Sequence, residues 1–191
     1  MNKKRIAILA SGAGSNAEAI MAWAQSSTLA EVVCVGSNVK SALVIERAKF
    51  FEVPTIIHLK KKNENNRDYD LRLCEKLKAY SPDWIVLAGY MKLLSPEFLK
   101  RFQGRVINIH PSLLPAFPGL DGYGDAYKAN VVESGCTIHF VDEGMDTGPI
   151  IAQRKFLLIK GESFEDFKKR GLLIENQFYP EVLEKLLKDY L

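Results

Sequence analysis

The chain has 191 residues, 47% of them hydrophobic and 26% charged, the balance of an ordinary globular protein with room for one continuous core. A formal net charge of +3 is too small for a nucleic-acid footprint, and no apolar run approaches the roughly 20 residues of a membrane span. The three cysteines, Cys34, Cys74 and Cys136, lie far apart with no CxxC pair, as expected of reduced, buried thiols in a cytoplasmic protein.

Lys3-Lys4-Arg5 precedes an apolar stretch of only five residues, Ile6 to Ala10, too short for a secretory leader and suited to a strand. Asn16 to Gln25 has helical character. Glu31 to Gly36, with Val-Val-Cys-Val inside it, is a buried strand, and Leu43 to Phe51 a helix. Val53 to His58 is short and β-branched, and the charged run Lys60 to Arg67 reads as a solvated loop. Arg67 to Tyr80 sets Tyr69, Leu73, Leu77 and Tyr80 at helical spacing, and Trp84 to Ala88 is a continuous apolar strand. Ser95-Pro96-Glu97 opens a helix with a cap residue and a proline at its first position, and the strand Val106 to Ile109 follows.

Apolar strands alternating with helices predict an α/β fold whose parallel sheet is covered on both faces. Only Asp142 to Gly148 separates the strands Thr137 to Val141 and Pro149 to Leu158, too few residues for a crossover helix. That end of the sheet is therefore predicted to be an antiparallel edge. Phe164 to Tyr190 closes the chain as a helix, with a break expected near Pro180.

The chemistry concentrates where strands end. Asn108 and His110, two residues apart, share one face of a strand and sit at its carboxyl end, where open α/β sheets bind ligands; Pro111-Ser112-Leu113-Leu114-Pro115 stiffens the chain just beyond. An amide donor beside an imidazole can hold a carbonyl oxygen as it gains negative charge. Asp146, between Gly144 and Gly148, would favour the charged imidazolium if it lies near His110, and otherwise organises a hairpin turn. His139 can face either side of its strand. His110, His139 and Asp146 are residue types that bind iron, but their spacing matches no compact ligand motif, and no metal is expected.

Ser11-Gly12-Ala13-Gly14-Ser15-Asn16 joins the first strand to the first helix, where glycines let a backbone approach an anion. Gly36-Ser37-Asn38 offers no acid to hold a dinucleotide's ribose, which favours a single phosphate. Gly89-Tyr90-Met91-Lys92-Leu93-Leu94 is apolar for a loop and suits either a pocket for a flat aromatic ligand or core under the next helix.

Through Asn108-Ile109-His110-Pro111-Ser112-Leu113-Leu114-Pro115, the Asp142–Pro149 segment, the Ser11–Asn16 loop and Leu87-Ala88-Gly89-Tyr90-Met91, nearly the whole chain resembles the folate-dependent formyltransferases. Within them it is similar to the glycinamide ribonucleotide branch of purine synthesis. The resemblance implies a Rossmann-like formyltransferase domain over 1–191. A phosphate-binding half would cover about 1–105, and most catalytic and folate residues would fall in about 106–191. It implies a catalytic triad of Asn108, His110 and Asp146. Gly14, Ser15 and Asn16 would hold the substrate's phosphate, and Leu172, Leu173, Ile174 and Glu175 the rest of that ribonucleotide. Arg67, Met91, Lys92, Leu93, Leu94, Asn108, Asp142, Glu143, Gly144, Met145 and Asp146 would surround 10-formyltetrahydrofolate, a co-substrate. Its partners would be small molecules rather than nucleic acid or membrane, for a monomer or weak homodimer.

Some members of the family carry Arg where this chain has Lys92, and His where it has Asp121 and Tyr123, which leaves the contacts of the Gly119–Ala126 loop open. Leu114-Pro115 is a candidate cis bond. A related formyltetrahydrofolate hydrolase carries an added N-terminal domain, whereas the first strand here is expected within six residues of the start. The related methionyl-tRNA enzyme adds a C-terminal domain and lacks this phosphate loop. A non-catalytic nucleotide-binding module would leave Asn108, His110 and Asp146 without a purpose.

Overall fold

Strand and helix alternate from the amino end of the computed structural model, which describes residues 2–189. In chain order they are β1 (Lys4–Leu9), α1 (Ser15–Ser26), β2 (Ala30–Ser37), α2 (Leu43–Phe50), β3 (Thr55–Ile57), α3 (Asn66–Lys78) and β4 (Trp84–Leu87). There follow α4 (Pro96–Arg101), β5 (Val106–His110), α5 (Gly122–Lys128), β6 (Glu133–Phe140), β7 (Ile150–Leu157) and α6 (Phe164–Lys188). The strands form one seven-stranded sheet in the order β3-β2-β1-β4-β5-β6-β7. β1 to β5 are parallel, while β6 runs antiparallel to β5 and β7 antiparallel to β6, the edge expected from the short connection.

The unbroken apolar strands serve two cores. Ile6 and Ile8 of β1 point to one face with Val35, Val86 and Ile107, against α1, α2 and α6. Ala7 and Leu9 point to the other with Cys34, Ile85 and Val106, against α3 and α4. This is the period of two that a sheet covered on both faces demands. All three cysteines are free and buried, and burial pushes the Cys34 thiol up to about 12. No helix among the described residues is long and apolar enough to cross a membrane.

The sheet's order sets the site. From β1 the chain proceeds outward to β2 and β3, then crosses back to β4 on β1's other side. The loops leaving β1 and β4 therefore diverge, and a crevice opens between them at the strands' carboxyl ends.

Two expectations are corrected. Residues 119–126 are not all loop, because Asp121 accepts the Gly124 N–H at 3.2 Å and caps the short α5. α6 does not break at Pro180. Proline removes a backbone donor and crowds the preceding turn, but Phe178 and Tyr179 before it and Val182, Leu183 and Leu187 after it are all buried, so packing holds the helix on both sides. The helix ends at Lys188; Tyr190, its predicted end, lies outside the described residues.

Candidate active site

β5 ends in the cleft, and the antiparallel register brings His139 of β6 directly opposite Asn108. His139 is buried, and burial lowers its pKa below the ordinary histidine value. The neutral ring donates from Nδ1 to the Phe140 carbonyl at 2.9 Å, leaving Nε2 to accept from Asn108 Nδ2 at 3.3 Å. That contact fixes which way the Asn108 amide points, and Nδ2 keeps a second hydrogen to donate.

The Asp142–Gly148 loop leaves the sheet beside the start of β5, where the Val141 N–H donates to the Val106 carbonyl at 2.9 Å. It then doubles back along that strand. Asp142 Oδ1 braces the turn by accepting from Gly144 N at 3.1 Å and Thr147 Oγ1 at 2.8 Å. Asp146 thereby arrives with Oδ2 3.4 Å from His110 Nδ1 and Oδ1 3.7 Å from His139 Nε2. On its other side, His110 Nε2 donates to the Phe117 carbonyl at 2.8 Å, and Gly119 N–H donates to Asp146 Oδ2 at 2.8 Å. His110 thus has a carbonyl oxygen at one ring nitrogen and a carboxylate oxygen near the other. Leu114-Pro115, in the turn between, is a cis peptide bond.

These groups open into a cleft of about 610 Å³. One wall is the Gly12–Asn16 loop. Gly14 has φ 76, and a Cβ there would sit 2.5 Å from Val44 Cγ2, so only glycine fits. No side chain caps the start of α1, whose first N–H groups lie in this wall. The opposite wall is the Leu87–Leu94 segment. Met91 and Leu93 are 60% exposed along the cleft, while Tyr90 and Leu94 pack on the second core, so the loop divides between pocket and core. Ser11 joins the two walls. Its N–H donates to the Gly89 carbonyl at 3.0 Å, and its hydroxyl accepts from Met91 N at 2.8 Å and donates to Asn38 Oδ1 at 2.5 Å.

α6 forms the floor through Lys168, Leu172 and Glu175, one helical stripe. Glu175 is buried; its Oε2 accepts from Asn16 Nδ2 at 2.6 Å and its Oε1 from the Tyr123 hydroxyl at 2.7 Å. Burial raises its carboxyl above the usual range, against which both hydrogen bonds work.

Most expected site residues line this one cleft: Gly14 to Asn16, Met91 to Leu94, Asn108, His110, Asp142 to Asp146, Leu172 and Glu175. Three do not. Leu173 turns to solvent at 55% exposure and Ile174 packs against the core, because consecutive helix residues cannot share a face. Arg67 instead pairs with Glu97 Oε1 at 2.9 Å on the surface. Tyr123, His139 and Lys168 line the cleft without having been assigned to it. The i, i+4, i+7 spacing of Lys168 with Leu172 and Glu175 was a usable signal for the last. Among the described residues no group of His, Cys, Asp and Glu is arranged to hold a metal ion.

A carboxyl-edge cleft with an anion-suited glycine loop on one side and an amide, imidazole and carboxylate at its centre defines a group-transfer enzyme of the α/β class, and the chain belongs to the formyl transferase family, whose pattern matches residues 4–183. Within the family it is similar to the phosphoribosylglycinamide formyltransferase of Bacillus subtilis (strain 168), 42% identical over 190 residues that cover 96% of this chain and 95% of the relative. The crystal structure of phosphoribosylglycinamide formyltransferase from Bacillus Halodurans superposes with a TM-score of 0.91 at 44% identity, covering 96% of this chain and 95% of that one. The trifunctional purine biosynthetic protein adenosine-3 of Drosophila pseudoobscura pseudoobscura is 41% identical over 187 residues, 96% of this chain and 14% of that longer protein.

Proposed function

We propose that this chain transfers the formyl group of 10-formyltetrahydrofolate to the amine of N1-(5-phosphoribosyl)glycinamide, giving the formylglycinamide ribonucleotide and tetrahydrofolate. The observation that carries the reading is the meeting of Asn108, His110 and Asp146 in one cleft, with His110 Nδ1 3.4 Å from Asp146 Oδ2, between the glycine loop and the Met91 loop.

In this reading the first N–H groups of α1, with Ser15 and Asn16, take the phosphate, and Glu175 offers its carboxylate to the sugar hydroxyls. The folate ring lies along Met91 to Leu94 and the Asp142–Asp146 loop. The amine attacks the formyl carbon, forming a C–N bond and a tetrahedral oxyanion. Asn108 Nδ2 donates its free hydrogen to that oxygen, and a protonated His110, held between the Phe117 carbonyl and Asp146, stabilises it by its charge. The intermediate collapses by breaking the bond from the formyl carbon to the folate nitrogen, and the proton shed by the attacking amine ends on that nitrogen. Asp146 holds His110 in place and stands where a water could relay the proton.

The test is direct. Purified protein incubated with both substrates is expected to yield formylated ribonucleotide and tetrahydrofolate in equal amounts by mass spectrometry. Release of formate without formylated product would replace transfer with hydrolysis, and binding of the ribonucleotide without turnover of either compound would remove catalysis altogether.

A further inference from the structure

α6 carries a glycine in its interior, a residue that weakens helices. The neighbour that requires it is Tyr123, since a Cβ at Gly171 would lie 2.4 Å from Tyr123 Cζ and 2.6 Å from its hydroxyl oxygen. The phenol packs close against the bare helix backbone. Phe156 and Phe167 hold its ring edge-on, with centroids 6.1 and 5.7 Å away. So seated, the hydroxyl reaches Glu175 Oε1 at 2.7 Å, one turn along the same helix.

Glu175 is 4% exposed yet lines the cleft. The donors to it are two neutral groups, the Tyr123 hydroxyl and the Asn16 amide. The titratable groups around it that feel its charge are Tyr123, Cys136 and Tyr179, all neutral and none of them a cation. With one lone pair of each oxygen engaged by protein, the carboxylate is held in a single orientation, and each oxygen keeps a lone pair for a ligand in the cleft that Glu175 lines.

We infer that Tyr123 is a positioning residue for the ribonucleotide: seated against Gly171, its hydroxyl fixes the Glu175 carboxylate in the orientation that receives the sugar. The inference rests on the reading that Glu175 meets the ribonucleotide. It concerns a position where this chain carries tyrosine and some members of the family histidine.

Tyr123→Phe keeps the ring and removes the donor. A hydrogen bond to a charged group typically supports about tenfold in affinity, so KM for the ribonucleotide is expected to rise roughly tenfold while kcat and the folate KM stay within about twofold. The lost donor favoured the charged carboxylate, so the acid-side rise in ribonucleotide KM is expected to begin at higher pH in the variant. Gly171→Ala, which displaces the phenol without removing its hydroxyl, is expected to raise the same KM and to add nothing in the double variant.

Glu175→Gln separates the two layers. If Glu175→Gln raises ribonucleotide KM and Tyr123→Phe does not, the positioning role is overturned and the reading of Glu175 stands. If neither variant moves that KM, Glu175 does not meet the ribonucleotide and both fall. A loss of kcat alone in Tyr123→Phe also overturns the proposal.

Discussion

Asp146 Oδ2 stands 3.4 Å from His110 Nδ1 and takes the Gly119 N–H at 2.8 Å, so one carboxylate holds the imidazole and also the loop that covers its far side. The second half of that clasp is the Phe117 carbonyl on His110 Nε2 at 2.8 Å. The ring is held from both edges before any ligand is bound.

Replacing Asp146 with Asn keeps the side chain's volume and removes its charge. Steady-state kinetics on Asp146→Asn are expected to show kcat reduced by about 10²–10³, the usual effect of losing one stabilising group around an oxyanion, with both KM values within about threefold. A normal kcat with raised KM values would make Asp146 a binding residue rather than a catalytic one.

His139 acts through Asn108, because burial keeps its ring neutral and Nε2 free to accept the amide at 3.3 Å. Asn108→Ala is expected to cost about 10²–10³ in kcat, and His139→Ala about tenfold by releasing the amide's orientation. The double variant should be no worse than Asn108→Ala, since residues acting through one contact are not additive. Full additivity would give His139 a separate task.

Gly14→Ala meets both a φ of 76 and a clash 2.5 Å from Val44 Cγ2. It is expected to lower Tm by several degrees, on the order of 1–2 kcal/mol, and to weaken ribonucleotide binding by calorimetry. Val44→Ala should not restore it, because Val44 Cβ and Cα stand 2.6 and 3.0 Å from the same point.

Glu175 gives a stability test with a definite sign. Its folded-state pKa is raised, first by burial, so the native state binds this proton more tightly than the unfolded chain does. Stability is therefore lost as pH rises from the ordinary glutamate range through the raised value, and the full cost is present above it. Glutamine can accept from Asn16 and donate to the Tyr123 hydroxyl, so Glu175→Gln is expected to melt a few degrees higher at neutral pH. Near pH 4, where the native carboxyl is protonated, the difference should vanish. A variant less stable at neutral pH would show that the buried charge stabilises the fold.

Much of this arrangement could be read from the chain because it is local. Asn108 and His110 share a face by strand alternation alone, and the short Asp142–Gly148 connection forces an antiparallel edge. What escaped depends on long-range geometry. The pairing of His139 with Asn108 is a register between strands. The approach of Asp146 to His110, which the residues alone left open and only the family resemblance implied, needs a loop that starts at the strand's opposite end and returns. α5 was hidden because Gly122 and Gly124 read as loop, and its tertiary purpose, setting Tyr123 on Glu175, has no local signature. Leu173 and Ile174 show the converse, a run of neighbours expected to act together although a helix sends each in a different direction.

Two hydrogen bonds of Ser11, one to Gly89 and one from Met91, tie the glycine-loop wall to the Met91 wall through a single residue. The span across the crevice is thus built into the backbone frame during folding. Two molecules entering from either side encounter each other at a spacing neither has to impose, so much of the entropy of bringing them together has been spent in advance.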